Sequence, residues 1–319
     1  MLRTTLMTVL AVVMLPLPAL AGTDVIDPAA GDVVDLGEDR NSRMTVPVSI
    51  GGKGPYAFIV DTGSERTVLS RELALTLGLS PSGVAEVHSV GGIGRVETVA
   101  GDALSVSKTS ARDLVAPLLK QSHLGAPGIL GIDSLQKQRV LLDFKTQTMT
   151  VLPSDRRSKV RGNTDEDTIV ITARNRLGRL ILADARINKR SVAVVIDTGA
   201  EHSIGNAELR AHVVGRKRNA FIVPTTVHSV TGETIPADVT LVDSMQLGNL
   251  MLTQMPVAFA DLRVFKQLGL DRKPAMLLGM NTLRAFRQVS VDFANRQVAF
   301  VVPGDSNAET GTRLAALDR

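Results

Sequence analysis

The sequence predicts an all-β protein of two similar lobes with a few short helices. Three observations carry that expectation. The apolar runs are short, β-branched and bounded by turn-forming residues. Blocks of sequence recur in the same order in the two halves of the chain. Helical periodicity is confined to two brief stretches.

The recurrence is specific. Phe58-Ile-Val-Asp-Thr-Gly-Ser-Glu65 is matched by Val194-Val-Ile-Asp-Thr-Gly-Ala-Glu201, and Val87-His-Ser-Val90 by Val227-His-Ser-Val230. Ile129-Leu-Gly131 is matched by Leu277-Leu-Gly279, and Leu142-Asp-Phe144 by Val291-Asp-Phe293. The offsets are 136, 140, 148 and 149, so order is kept while the second copy gains short insertions. Two copies make two lobes rather than a solenoid.

From the N-terminus, Met1 to Ala21 has one charge (Arg3), an apolar run over Leu6–Leu15, and a Pro16/Pro18 breaker before Ala19-Leu-Ala21. This reads as an export signal with a small-x-small cleavage site, and implies a periplasmic or secreted protein with no stable membrane insertion after cleavage. A retained anchor is the alternative reading. Residues 22–41 are acidic and read as a loosely ordered segment. The first lobe is expected over 42–152, a polar linker over 153–167, the second lobe over 168–303 and a polar tail over 304–319, ending in a short helix.

Within the first lobe, Met44–Ile50 alternates as a strand whose Pro47 argues for a sheet edge. Tyr56–Val60 and, in the second lobe, Ser191–Ile196 read as short buried strands. Ser70–Leu77 with Gly78 as a stop reads as a helix, as does Ala207–Val213. Val140–Val151 is a hairpin turning near Lys145-Thr146, and Val289–Val302 repeats it near Asn295-Arg296.

Composition narrows the function. The 319 residues carry 36 Lys+Arg against 32 Asp+Glu, a net charge of +4, with 44% hydrophobic and 21% charged residues, so the chain folds rather than staying disordered. With no Cys there is no disulfide scaffold, no thiolate metal site and no thiol nucleophile. One Tyr, eight Phe and no Trp leave little to stack on bases, which argues against nucleic acid as a partner. No His-x-x-x-His or Glu-x-x-His spacing suggests a metal, and Ser64 stands in no Gly-x-Ser-x-Gly elbow. Neither cofactor nor metal is expected.

Asp-Thr-Gly occurs twice, whereas about 0.06 chance occurrences are expected in a chain this long. Each copy follows an apolar strand and precedes a later apolar-apolar-Gly. A strand ending this way can set a carboxylate on a tight turn, with glycine allowing close backbone approach. Two facing lobes would bring Asp61 and Asp197 together. Carboxylates in contact resist ionising together and share a proton, so one can take a proton from water while the other donates to a carbonyl oxygen.

These residues resemble the aspartic proteases of the pepsin and retropepsin clan, and the chain looks like a bacterial-type exported retropepsin-like protease with both lobes fused. Asp61-Thr62-Gly63-Ser64 and Asp197-Thr198-Gly199-Ala200 match the catalytic turns. The later apolar-apolar-Gly triplets match the family pattern, and Gly91-Gly92-Ile93-Gly94 is similar to a retroviral-type flap tip. The resemblance implies retropepsin-like β-barrel lobes and an endopeptidase acting on polypeptides. It implies Asp61 and Asp197 as catalytic residues, with Thr62 and Thr198 bonding across the interface beneath them. Gly63, Ser64, Gly199 and Ala200 would support the turns, and Gly91, Gly92, Ile93 and Gly94 would close over substrate; an ordinary hairpin turn is the alternative for the last. Ile132 and Met280 stand where retroviral members carry Arg, and the second flap, Val230–Ile235, has one glycine and a charge.

Three further expectations follow. Ser64 can donate to Asp61 whereas Ala200 offers Asp197 nothing similar, so Asp61 should ionise first and Ala200→Ser should lower the basic limb of a pH–rate profile. The linker is long enough for the lobes to pair within one chain, which favours a monomer over a homodimer. The competing function is a catalytically inactive peptide-binding protein on the same scaffold.

Overall fold

The computed structural model describes residues 32–101, 103–106, 109–111, 114–135, 138–154, 168–182, 184–215, 221–303 and 312–316. The segment 1–21 read as an export signal, nearly all of the expected linker and most of the expected polar tail lie outside the described residues. The chain is predominantly β, in two sheets, with short helices at Arg71–Leu77, Gln121–Leu124, Ala207–Val214, Arg263–Gln267 and Met280–Leu283 among the described residues.

The repeat is structural as well as sequential. In the first half, Gly128–Leu130 runs parallel to Lys53–Val60, with Ile129 opposite Ile59 and Leu130 opposite Val60, and antiparallel to Val68–Ser70. In the second half, Ala275–Leu278 runs parallel to Ala193–Ile196, with Leu277 opposite Val195 and Leu278 opposite Ile196, and antiparallel to Ser203–Gly205. The same residues of the two copies meet in the same register. Their apolar character follows from burial on both faces: Phe58, Ile59, Val60, Val194, Val195 and Ile196 are all buried.

The halves are joined by a shared sheet. Gln138–Asp143 pairs with Thr148–Pro153, Gln288–Asp292 pairs with Gln297–Val301, and the two hairpins meet through Arg139–Asp143 against Gln288–Asp292. Leu141 faces Ser290 on this seam. The hairpins are those expected from the sequence. The first hairpin is flanked by Asp32–Asp35 and the second continues into Thr168–Arg176 of its own half; both sheets run from one free end to another among the described residues, and the expected barrel closure is not seen.

Helix Arg71–Leu77 forms as its sequence suggests. The Ser70 hydroxyl caps it by accepting from the Leu73 N–H at 3.0 Å, and Gly78 ends it at φ 70°. Asn206 caps Ala207–Val214 in the same way.

Three local expectations are corrected. Met44–Ile50 is an interior strand, paired with Lys53–Val60 on one side and with Gly37–Glu38 and Leu104–Val106 on the other. Pro47 falls in the interval between those two short partners, where neither needs its missing N–H. Asp32–Asp35, in the segment read as loose, pairs with Thr148–Pro153 because Val34 buries itself against the core. Arg313–Ala316, read as a terminal helix, is instead a strand on Leu250–Phe259, which supplies an open edge. Among the described residues no helix is long and apolar enough to cross a membrane.

Candidate active site

Both Asp-Thr-Gly turns sit at the ends of buried strands. The Asp61 N–H donates to the Leu130 carbonyl and the Asp197 N–H to the Leu278 carbonyl, each at 3.1 Å. The later apolar-apolar-Gly triplets thus anchor the aspartates. Their glycines are obligatory for a packing reason: a Cβ on Gly279 would lie 2.5 Å from the His202 backbone, and one on Gly131 would collide with the Arg66 backbone.

The turns interlock at their threonines. The Thr62 N–H donates to Thr198 Oγ1 at 3.0 Å and the Thr198 N–H to Thr62 Oγ1 at 3.2 Å. Each hydroxyl donates onward into the opposite half, Thr62 to the Ile196 carbonyl at 3.0 Å and Thr198 to the Val60 carbonyl at 2.7 Å. Four buried bonds across the interface fix the turns relative to each other.

This lock presses the carboxylates together. A Cβ on Gly63 would stand 2.7 Å from Asp197 Oδ1, and one on Gly199 would overlap the Asp61 carboxylate. Each glycine N–H serves its own aspartate, Gly63 donating to Asp61 Oδ1 at 2.7 Å and Gly199 to Asp197 Oδ1 at 3.1 Å. Desolvation raises both carboxyls above the usual range. Asp197 is pushed up to about 7, first by desolvation and then by the Asp61 charge beside it. Both carboxyls therefore release their protons at higher pH than an ordinary aspartate does.

Ser64 corrects an expectation. Its hydroxyl donates to the Arg66 carbonyl at 2.8 Å, not to Asp61. Ser64 acts on Asp61 through its backbone N–H, as Ala200 does on Asp197, so the Ser/Ala difference does not separate the aspartates. What distinguishes them is cationic: Arg179 and Arg43 both favour the charged form of Asp61, while Arg179 is the cation that does so for Asp197.

Both hairpins above the site are present. Ser80–His88 and Ile93–Gly101 form the first, whose tip carries Gly91 and Gly92 and whose returning strand begins with Ile93 and Gly94. Val223–His228 and Thr234–Leu247 form the second. His88 and His228 close the ascending strands at matching positions, as strand residues. The tips touch, with Thr231 Oγ1 donating to Ser89 Oγ at 2.7 Å. They also cross over. Val90 packs on a cluster belonging to the second half, Val195, Ile204 and Leu277 among it, while Val230 packs on one belonging to the first, including Ile59, Val68 and Ile129. Each partial burial stabilises the closed arrangement by about 1 kcal/mol.

The residues that brace the turns belong to no motif of their own. Thr67 N–H and hydroxyl donate to Asp133 Oδ1 at 2.9 and 2.8 Å, and Gly131 N–H donates to Thr67 Oγ1 at 3.1 Å. Ser203, Asn281 and Gly279 repeat this at 2.8, 3.0 and 3.0 Å. Arg43 and Arg179 likewise stand in no motif. All of these pairs stand at the repeat offsets of 136 or 148, which is the signal that would have found them. Ile132 and Met280, in place of the expected arginines, are buried. Among the described residues no group of three or more His, Asp or Glu is gathered as metal ligands would be.

Comparison with known proteins agrees with this geometry. A family model described as aspartyl protease matches residues 46–134 and again 183–282, together more than half of the chain. No curated protein matches it.

Proposed function

The chain belongs to the aspartyl protease family, and from that premise we propose that it is an exported endopeptidase hydrolysing peptide bonds with a water activated between Asp61 and Asp197. The proposal includes retropepsin-like lobes at 42–152 and 168–303 that pair within one chain, and export through the Met1–Ala21 signal. The observation that carries it is the confrontation of two desolvated carboxylates, each against the glycine of the opposite turn. Pairing within one chain is supported by the seam where Arg139–Asp143 meets Gln288–Asp292.

The chemistry follows from one shared proton. Asp61, ionised, takes a proton from water as the water oxygen bonds to the scissile carbonyl carbon. Asp197, protonated, gives its proton to the carbonyl oxygen, so the tetrahedral adduct forms without net charge. In collapse the C–N bond breaks, the nitrogen takes the proton now on Asp61, and Asp197 recovers one from the adduct hydroxyl. The dyad ends as it began. Gly91 to Gly94 and the second hairpin cover an extended peptide, pairing with its backbone as an added strand would.

The test is cleavage of an unfolded protein at acidic to neutral pH. The wild type should cut it and be inhibited by pepstatin, and Asp61→Asn and Asp197→Asn should each abolish cutting while still unfolding in one cooperative thermal transition. Binding of the unfolded chain without cutting, by wild type and both variants alike, would mean a peptide-binding protein and overturn the proposal.

A further inference from the structure

The two arginines near the dyad are equivalent by strand register. Thr45 faces Ile59 and Ile181 faces Val195, so Arg43 and Arg179, each two residues before those positions, continue toward Asp61 and Asp197. Their surroundings differ. Arg43 is buried and neutralised: its Nε and Nη2 donate to Asp39 Oδ2 at 2.8 and 2.5 Å, and its Nη2 also donates to the Leu124 carbonyl. Arg179 makes no salt bridge among the described residues. Its Nε crosses to the other half and donates to the Gly63 carbonyl at 2.6 Å.

We propose that Arg179 is a positioning residue of the dyad: tied to the Gly63 carbonyl, it holds the first catalytic turn against the second half and supplies the unneutralised positive charge beside which the two carboxylates carry their single negative one. Gly63 is the residue whose α-carbon abuts the Asp197 carboxylate and whose N–H holds Asp61, so a tether on its carbonyl acts on both acids. The charged groups acting on the dyad are Arg179 and Arg43, and Arg43 already has Asp39. Arg179 outweighs Arg43 at Asp61 and also acts on Asp197. The duplicated pair has thus diverged into a structural arginine and one that serves the dyad.

This inference rests on the endopeptidase reading, and its test separates the two. In protein labelled with 13C at the aspartate carboxyls, the two dyad resonances are identified by their loss in Asp61→Asn and Asp197→Asn and titrated by NMR, a readout that needs no turnover. Arg179→Gln should move both titration steps to higher pH by about 1 unit, and Arg179→Lys should return them to the wild-type positions. In parallel kinetics, Arg179→Gln should lower kcat about tenfold or more with little change in KM, and Arg179→Lys should recover only part of it, since an ammonium lacks the fixed guanidinium geometry. Unmoved steps in a folded Arg179→Gln protein would overturn the proposal. Should that variant not fold, Arg179→Lys decides: steps displaced although the charge is kept would overturn it. If the wild type cleaves nothing while the steps shift as expected, the endopeptidase reading fails and the role of Arg179 in setting the charge of the pair stands.

Discussion

Replacing Asp197 by Asn should stabilise the protein at neutral pH and leave it unchanged in acid. Asn matches Asp in size, so the packing around the threonine lock is kept. The charge is what changes. Asp197 binds its proton up to about pH 7 in the folded protein against 3.8 for an unperturbed carboxyl. Between those values the folded state holds a proton that the unfolded state has released, so stability falls as pH rises. The contribution is intact below 3.8, declines by about 1.4 kcal/mol per pH unit, and is lost once pH passes 7. Over that interval it reaches at most ~4 kcal/mol, an upper bound because both carboxylates keep a partly open face to the cleft. Urea unfolding of wild type and Asp197→Asn at pH 4 and pH 8 measures this directly. The variant should gain on the wild type by a few kcal/mol between the two conditions while losing all cleavage activity. A difference between the proteins that stays constant with pH would refute the electrostatic coupling of the pair.

Other substitutions probe the surroundings. Ala200→Ser should leave the basic limb of the pH–rate profile in place, because the added hydroxyl is expected to turn toward the His202 carbonyl as Ser64 turns toward that of Arg66. A Cβ on Gly91 would press within 2.9 Å of Glu233 Cβ, whereas one on Gly92 meets the Glu233 carboxylate at an ordinary 3.7 Å; Gly91→Ala should therefore raise KM several-fold and Gly92→Ala should not, as steady-state kinetics will tell. Arg139→Met removes the partner of buried Asp292 across the seam and should cost about 3 kcal/mol in denaturant unfolding, with the pH profile of cleavage unmoved.

How far the sequence could be read depended on the kind of physics involved. The two Asp-Thr-Gly turns, the two hairpins on the seam and the Ser70/Gly78-bounded helix were legible because each is set by local chemistry: a turn motif, period-two alternation, a cap and a stop. The register of Ile129 against Ile59 was implicit in the repeat. Pro47 was misread because its strand is interior yet locally unpartnered, a fact that depends on how short its neighbours Gly37–Glu38 and Leu104–Val106 are. Asp32–Asp35 and Arg313–Ala316 look polar and loose, and become strands because the edges of Thr148–Pro153 and Leu250–Phe259 are open to receive them. Ser64 was misread for a related reason: the hydroxyl could reach either of two acceptors, and the backbone path to Arg66 chose.

Fusion of the two copies gives the molecule a freedom that a pair of identical chains lacks. In a symmetric dimer every substitution occurs twice, so a charge placed to favour one aspartate is also placed beside the other. Here matching positions have separated. Arg139 and Asp292 form a buried ion pair at one end of the seam, while at the other end Gln288, which occupies the matching position, donates a neutral side-chain hydrogen bond to Asp143. Asp133 braces Thr67 where Asn281 braces Ser203, so an acid stands beneath one turn and an amide beneath the other. Arg43 is bound to Asp39 while Arg179 faces the pair. The first two changes alter charge while keeping a matching hydrogen bond, and the third keeps the arginine while changing its partners. Hydrogen bonds constrain position, so they must match in both copies for the threonine lock to close; charge acts on protonation, and the surroundings of the two carboxyls are free to differ in it. The copies are accordingly alike where they set geometry and unlike where they set charge.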